Sequence, residues 1–284
     1  MKPLFMWAGG KTRLLKHYAP YMPSRVDSYC EPFFGGGAMF LHVMNTYRPQ
    51  RVVLNDINPS IMAIYSSIRD SYGEFLKRLN DLEGRYIPMS KENRKSFYYD
   101  IRHAHAWDHE GWDPVYESAT LYFLMKTGFN GVYQINKNTN GRYGTPSGLL
   151  NQKAEVYDRD VMSWWHEHLQ SVELLSGPWQ DAVGRMDDGF FFLDPPYRDS
   201  FADYGNPFND DAQLELLRFA DAQDCVMLCN RNDDGWFDAQ DHSLNVLNVN
   251  VTYTAGRRKK TENGHVAKPA QEILLYRTGA VTLV

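Results

Sequence analysis

The sequence predicts an α/β fold, a parallel sheet into which a helical block has been inserted, and three observations carry that prediction. Residues 26–70 run strand, glycine loop, helix, strand, loop, helix, the rhythm of parallel strands joined by crossover helices. "FFFLDPPYRDS", residues 190–200, sets four apolar residues ahead of an acid and two prolines. Such a run suits a central strand covered on both faces, and prolines, which cannot donate to a ladder, end it. From about residue 70 to 160 the rhythm changes to helices followed by a long Asn-, Gly- and Tyr-rich stretch.

In chain order, "MKPLFMWAGGKTRLL" is too short and glycine-broken for a signal peptide and reads as part of the mature fold. Within it Trp7 can cover a ligand ring and Lys11 can pair with a carboxylate; core packing and a solvated lysine are the plain alternatives. "VDSYCEPFFGGGAMFLHVM" reads as a short strand, a glycine loop and a helix. Glycines there let backbone approach a ligand and open a helix N-terminus that favours an anion. The stretch is not a dinucleotide fingerprint, because Phe40 stands where the third glycine belongs. "RVVLNDINPSIMAIYSSIRD" gives a strand over 51–55 and a helix from about Pro59, with Asn58 as its cap and Ile61, Ile64, Tyr65 and Ile68 on one face. Asp56 ends that strand roughly 20 residues beyond the glycines, the place of a carboxylate that accepts from ribose hydroxyls. It can equally cap the turn in "NDINP".

"EFLKRLNDL", "SKENRKSFYYDIRHAH" and "DPVYESATLYFLMKTG" all read as helices. "FNGVYQINKNTNGRYGTPSG" is a long loop or a hairpin, and long loops inside compact domains tend to be functional. Strand and helix patterns resume at about 171. Cys30, Cys225 and Cys229 make no disulfide framework and no metal cluster, so they read as core residues of an intracellular protein. No apolar stretch approaches the roughly 20 residues that span a bilayer, so no membrane is expected. A net charge of −5 does not advertise a nucleic-acid binder, although "GRRKKTENGHVAK" concentrates Arg257, Arg258, Lys259 and Lys260 in one place.

The turn after residues 190–193 carries the most specific chemistry. Asp194 and the carbonyl of Pro195 can both accept from an exocyclic amine, positioning it and raising electron density on its nitrogen. Pro196 completes the rigid turn, and Tyr197 offers a stacking face for a planar base. A mere strand-terminating turn accounts for each residue separately but not for the four together.

Taken in order, "WAGGK", "EPFFGGGA", "NDIN", "FNG…N…G…P.G" and "DPPY" resemble the Dam-type DNA adenine-N6 methyltransferases, from Trp7 to the "EILLY" strand at 272–276. The resemblance implies a Rossmann-like methyltransferase sheet using S-adenosylmethionine and no metal. It further implies a terminal reversed hairpin formed by "LNVLNVNVTYT" and "QEILLYRT". Residues 1–69 and 161–284 would be catalytic, and 70–160 an inserted, mainly helical target-recognition domain. By the same resemblance Trp7, Lys11, Glu31, Phe33, Gly35 and Asp56 belong to the cofactor site, and Asp194 lies between cofactor and target amine. Pro195 supplies the second acceptor and Tyr197 stacks on adenine. Met6, Phe129, Asn130, Val132, Gln134 and Pro146 contact duplex DNA, with Arg257, Arg258, Lys259 and Lys260 on phosphates. The target base must be flipped out of the duplex. Relatives that read GATC commonly carry Lys before the Trp and Arg at the position of Gln134; this chain has Met6 and Gln134. Arg and Lys suit guanine and Gln suits adenine, so a recognition sequence other than strict GATC is expected.

Other readings stay open on sequence grounds. Protein glutamine methylation is disfavoured by Asp194 where such enzymes have Asn, and cytosine-N4 methylation by the absence of Ser there. RNA adenine-N6 methylation needs the same chemistry, and a non-catalytic binding protein keeps the same fold. A cytoplasmic monomer suffices, with a dimer possible in principle.

Overall fold

A computed structural model describes residues 1–7, 9–148, 155–198, 208–252, 259–261, 264–266 and 269–279. In chain order it forms α1 (Leu15–Tyr18), β1 (Ser28–Glu31), α2 (Ala38–Thr46), β2 (Arg51–Asn55), α3 (Pro59–Asp70), α4 (Tyr72–Tyr86), α5 (Lys91–Trp107) and α6 (Pro114–Thr127). There follow β3 (Ile135–Asn136), β4 (Arg142–Tyr143), α7 (Arg159–Leu169), β5 (Val172–Leu175), α8 (Trp179–Val183), β6 (Phe190–Leu193) and α9 (Asp210–Asp221). The chain closes with β7 (Val226–Arg231), β8 (Asn245–Thr252), β9 (Lys259–Thr261), β10 (Gly264–Val266) and β11 (Pro269–Arg277).

Seven strands form one sheet in the order β5-β2-β1-β6-β7-β11-β8. The first five run parallel, whereas β11 is antiparallel to both β7 and β8, so the expected reversed hairpin is present with its second strand inserted between β7 and its first. β1 has β2 on one side and β6 on the other. The order in which the chain winds the sheet therefore reverses between β1 and β6, the switch point at which open α/β sheets form a crevice at the carboxyl ends of their strands.

Phe190, Phe191, Phe192 and Leu193 are each at most 2% exposed. Successive side chains of a strand point to opposite faces. Accordingly Phe190 and Phe192 join the core that includes Tyr29, Leu54, Tyr65 and Trp165, while Phe191 and Leu193 join Cys30, Val53, Leu217 and Phe237 on the other side. α3 starts as expected: the Asn58 side chain accepts from Ser60 and Ile61 backbone, Pro59 is its first residue, and Ile61, Ile64, Tyr65 and Ile68 are fully buried. Cys30 and Cys229 are buried, Cys225 is half-buried, and all three are free thiols.

α4, α5 and α6 fall where three helices are expected. α6 buries every residue from Ser118 to Met125. A helix apolar all round must be enclosed, and α6 is, by α3, α4 and α5. The core of these helices (Phe75, Leu79, Tyr122, Phe123) is continuous with that of the sheet face carrying Tyr65 and Trp165. The stretch after α6 is a hairpin, with β3 antiparallel to β4. Its base is closed by backbone bonds from Phe129 to Pro146 (2.8 Å) and Gly148 to Thr127 (2.9 Å). Tyr98 and Arg102 of α5 donate to the carbonyl of Thr145 at 2.8 and 3.0 Å, tying the hairpin to the helices. Among the described residues no helix is long and apolar enough to cross a membrane.

Candidate active site

Three strands deliver acids to the crevice: β1 ends on Glu31, β2 is followed by Asp56 and β6 by Asp194. Lys11, 3% exposed, comes from the amino-terminal segment and holds its Nζ 2.6 Å from each Asp194 carboxylate oxygen and 2.7 Å from the Gly9 carbonyl. Burial works against the ammonium, but Asp194, Cys229 and Glu272 outweigh it and hold the Lys11 pKa above its ordinary value. Burial pushes the Asp194 carboxyl upward while Lys11 pulls it down. The solvated-lysine alternative is therefore excluded. Buried Lys11 is one half of an ion pair with the half-buried Asp194 at the head of the Asp-Pro-Pro-Tyr turn.

Trp7 packs against the glycine loop. Gly35 and Gly37 have φ of +49° and +67°, and a Cβ built on Gly35 would lie 2.5 Å from Trp7 Nε1. A Cβ on Gly36 would lie 2.9 Å from Trp7 Cβ. The room these glycines leave is taken by an indole of the protein itself. Gly35→Ala should lower stability by about 2–4 kcal/mol, combining left-handed strain with overpacking. Gly73→Ala near the start of α4, where a Cβ meets nothing within 4 Å, should be neutral or stabilising. Chemical denaturation of the two variants checks this, and equal effects would refute it.

Asp56 accepts from Gly35 N at 2.8 Å through Oδ2 and from Asn58 N at 2.9 Å through Oδ1. It thus closes the turn in "NDINP" and ties the glycine loop to β2. Alongside this turn-capping role, two donors leave roughly half of a carboxylate's acceptor sites available. Burial pushes its pKa up, against those two bonds. Glu31 accepts from Tyr29 Oη at 2.7 Å, and burial holds its carboxyl well above the usual range. Phe33 is half-buried and meets Phe208 edge-on at 5.7 Å.

The turn itself is held from three sides. Tyr197 Oη donates to Glu272 Oε2 of β11 at 2.6 Å, and its ring centroid lies 4.8 Å from Lys11 Nζ. Gln213 of α9 donates to the Pro196 carbonyl at 2.9 Å and accepts from Asn230 of β7 at 3.0 Å. Asn230 also accepts from Arg198 N at 3.3 Å. Gln213, Asn230 and Glu272, all buried, were not singled out by the sequence reading. For Asn230 and Glu272 the signal was a polar residue at the end of an apolar run, as in "VMLCN" and "EILLY".

Met6, Phe129, Asn130, Val132, Gln134 and Pro146 are all exposed, Met6 by 66% and Phe129 by 50%. Met6 lies against Gly131, where a Cβ would come within 3.2 Å of it. Tyr133 packs on Trp7 at 5.7 Å, so the hairpin adjoins the segment that carries Lys11. Asn130 adopts φ +53°, a left-handed conformation that asparagine tolerates. Arg257 and Arg258 lie outside the described residues. Lys259 and Lys260 are in β9, paired antiparallel with β10, and only their backbone is described. A cavity of about 350 Å3 opens beside β2 and β5, lined by Asn55, Ser176, Gln180 and Asp181 among others, and its lining includes neither Lys11 nor Asp194. Among the described residues no cluster of three or more His, Cys, Asp or Glu side chains is arranged to hold a metal.

A mostly parallel sheet of this strand order, closed by a reversed hairpin, is the architecture of S-adenosylmethionine-dependent methyltransferases. Residues 7–253 match the D12 class N6 adenine-specific DNA methyltransferases, and the chain belongs to that family. It is a DNA adenine methyltransferase. Similar proteins include the Type II methyltransferase M.MjaIII of Methanocaldococcus jannaschii, 30% identical over 77% of this chain and 79% of its own length. Type II methyltransferase M.CviBI of Paramecium bursaria Chlorella virus NC1A is 30% identical over 82% and 84% of the two chains. M1.LlaDCHI of Lactococcus lactis subsp. cremoris is 27% identical over 92% and 94%.

Proposed function

We propose that the chain methylates N6 of an adenine flipped out of duplex DNA, with S-adenosylmethionine as donor, at a recognition sequence other than strict GATC. The observation that carries this reading is the Lys11–Asp194 pair over the Tyr197 ring, adjoining an exposed hairpin. The acids suit the cofactor: Glu31, Asp56 and Asp194 present acceptors to a ligand that is cationic and carries ribose hydroxyl donors. Asp56 is the ribose acceptor, while Trp7, Phe33 and Gly35 shape the wall of that site. The cofactor supplies an electrophilic methyl group on a sulfonium.

The protein's part is positioning and electrostatics. Asp194 and the Pro195 carbonyl accept from the two N6 hydrogens of adenine and keep its lone pair directed at the methyl. Lys11 holds Asp194 in its charged, accepting form. Tyr197 stacks on the base with the face that Lys11 does not cover, and Pro196 stiffens the turn. Residues 70–160 form the target-recognition unit, with Phe129 filling the space beside the flipped base. Asn130, Val132, Gln134, Pro146 and Met6 contact the flanking bases. Arg257, Arg258, Lys259 and Lys260 reach phosphates. A monomer is sufficient for this chemistry.

Incubation with tritiated S-adenosylmethionine and mixed-sequence duplex DNA, followed by mapping of N6-methyladenine, tests the reading. Label should appear at adenines outside GATC. Gln134→Arg should shift preference toward guanine at the position it contacts by about tenfold or more, since a good bidentate contact discriminates by about 1–3 kcal/mol. Methylation confined to GATC in the parent would refute the specificity, and label on RNA or protein alone would refute the substrate.

A further inference from the structure

We propose that Glu272 is a positioning residue for methyl transfer: from β11 it anchors the Tyr197 hydroxyl and so sets the ring plane on which the target base stacks. The inference rests on the reading of Tyr197 as the stacking residue and adds to it a group outside the Asp-Pro-Pro-Tyr turn.

Glu272 is fully buried in β11, between β7 and the edge strand β8, beside Ile273, Leu274 and Leu275, which are equally inaccessible. Its neighbours in register are Arg231 on β7 and Val249 on β8. A buried carboxylate is costly to keep in an apolar strand. One of its oxygens accepts the Tyr197 hydroxyl at 2.6 Å, while the other, Oε1, is buried without a hydrogen-bond partner. A strand built only for packing would place an aliphatic side chain here, as it does at the next three positions. The bond is a short, charge-assisted one and therefore of the stronger kind.

Geometry explains what the anchor does. Pro195 and Pro196 restrict the backbone at one end of Tyr197, but its ring still turns about two side-chain torsions. A bond at the hydroxyl fixes the far end of the ring. Lys11 Nζ stands 4.8 Å from the ring centroid, so base stacking is confined to the other face. A small tilt there moves the amine away from its attack position, and transfer rates are sensitive to misplacement of about 1 Å.

The groups that act on the Glu272 carboxyl come from every side: Lys11 ahead of α1, Tyr18 on α1, Asp194 and Tyr197 on the turn, and Cys229 and Arg231 on β7. The registered β8 neighbour, Val249, is apolar. Burial raises the carboxyl to about 7, against the pull of Lys11 and of the Tyr197 bond. The anchor is consequently charged above neutral pH and weakened below it.

The test is a double-mutant cycle in single-turnover transfer of tritiated methyl to duplex DNA, run from pH 6 to 9 with cofactor and duplex binding measured alongside. Glu272→Leu and Tyr197→Phe should each slow transfer about tenfold, with cofactor affinity changed less than about twofold. The double variant should be no slower than either single, because both remove one bond. Glu272→Gln, a neutral acceptor like the protonated carboxyl, should lie between the parent and Glu272→Leu and show no fall in rate below pH 7. Independently of turnover, the 13Cδ resonance of Glu272, assigned by its loss in Glu272→Gln, should titrate roughly half a pH unit or more higher in Tyr197→Phe, where a donor to the carboxylate is gone. Multiplicative rate losses in the double variant, or an unmoved titration, overturn the inference while leaving the methyltransferase reading intact. Absence of transfer to adenine by the unmodified protein overturns both.

Discussion

Asp194→Ala should abolish methyl transfer, by about 10³-fold or more, and should also destabilise the fold, for two separable reasons. The rate is lost because the carboxylate is the charged acceptor for the amine, and removal of one preorganised polar group of this kind typically costs about 10²–10³ in rate. The alanine also leaves the target base without its principal anchor. Stability is lost because Lys11, 3% exposed, keeps its charge in the core without the one carboxylate it contacts directly. Breaking a buried pair by removing one partner costs about 3–5 kcal/mol. The double variant Asp194→Ala/Lys11→Met should regain much of that stability and none of the activity. Denaturant titration and single-turnover labelling of the two proteins check both parts. A double variant as unstable as the single would show that the ion pair is not the origin of the loss.

Lys11→Met is expected to have the second largest effect, and its pH dependence differs from that of Asp194→Ala. Burial already pushes the Asp194 carboxyl up, and Lys11 is what pulls it down. Without the lysine that downward pull is gone and the carboxyl moves further up, toward the neutral acid, which presents a donor where an acceptor is needed. Transfer should fall about 10²-fold at neutral pH and recover partly as the pH is raised and Asp194 ionises. Stability should move the opposite way. A carboxyl whose folded pKa lies above its unfolded value contributes stability that is fully present below the unfolded pKa. That contribution is lost as the pH rises through the folded pKa. Relative to the parent, Lys11→Met should therefore be most stable below the unfolded aspartate pKa of about 3.9 and weaken as the pH rises. Rate profiles and denaturant midpoints from pH 5 to 9 measure both. A rate deficit independent of pH would show that Lys11 does more than hold the charge on Asp194.

Much of this molecule is legible along the chain because the signals are local. The run at 190–193 requires burial on both faces, and both faces of β6 are covered. Asn58-Pro59 with the apolar positions at 61, 64, 65 and 68 specifies a capped helix whose buried face those four residues make. The three helices of 72–127 follow from periodicity in the same way, whereas the reversed strands over 245–252 and 269–277 are expected from the family resemblance. Lys11 had two readings, and its residue type plus spacing could not choose between them. Its partner lies 183 positions away, and only the crossover that brings β6 beside β1 makes them neighbours.

The sequence by itself determined where strands and helices form, that an acid and an aromatic emerge together at the end of a buried strand, and that the chain carries the motif order of its family. Those are consequences of side-chain period, backbone restriction by proline and glycine, and apolar patterning, all properties of neighbours in the chain. Only the tertiary structure decided who meets whom. It filled the space at Gly35 and Gly36 with Trp7 and set Gln213 and Asn230 beneath Pro196. It also put Glu272 on the Tyr197 hydroxyl, 75 positions away. The physical reason is that a lone polar residue in an apolar strand advertises a need for a partner but not its identity. Strand order makes that choice, and here it places β11 antiparallel beside β7.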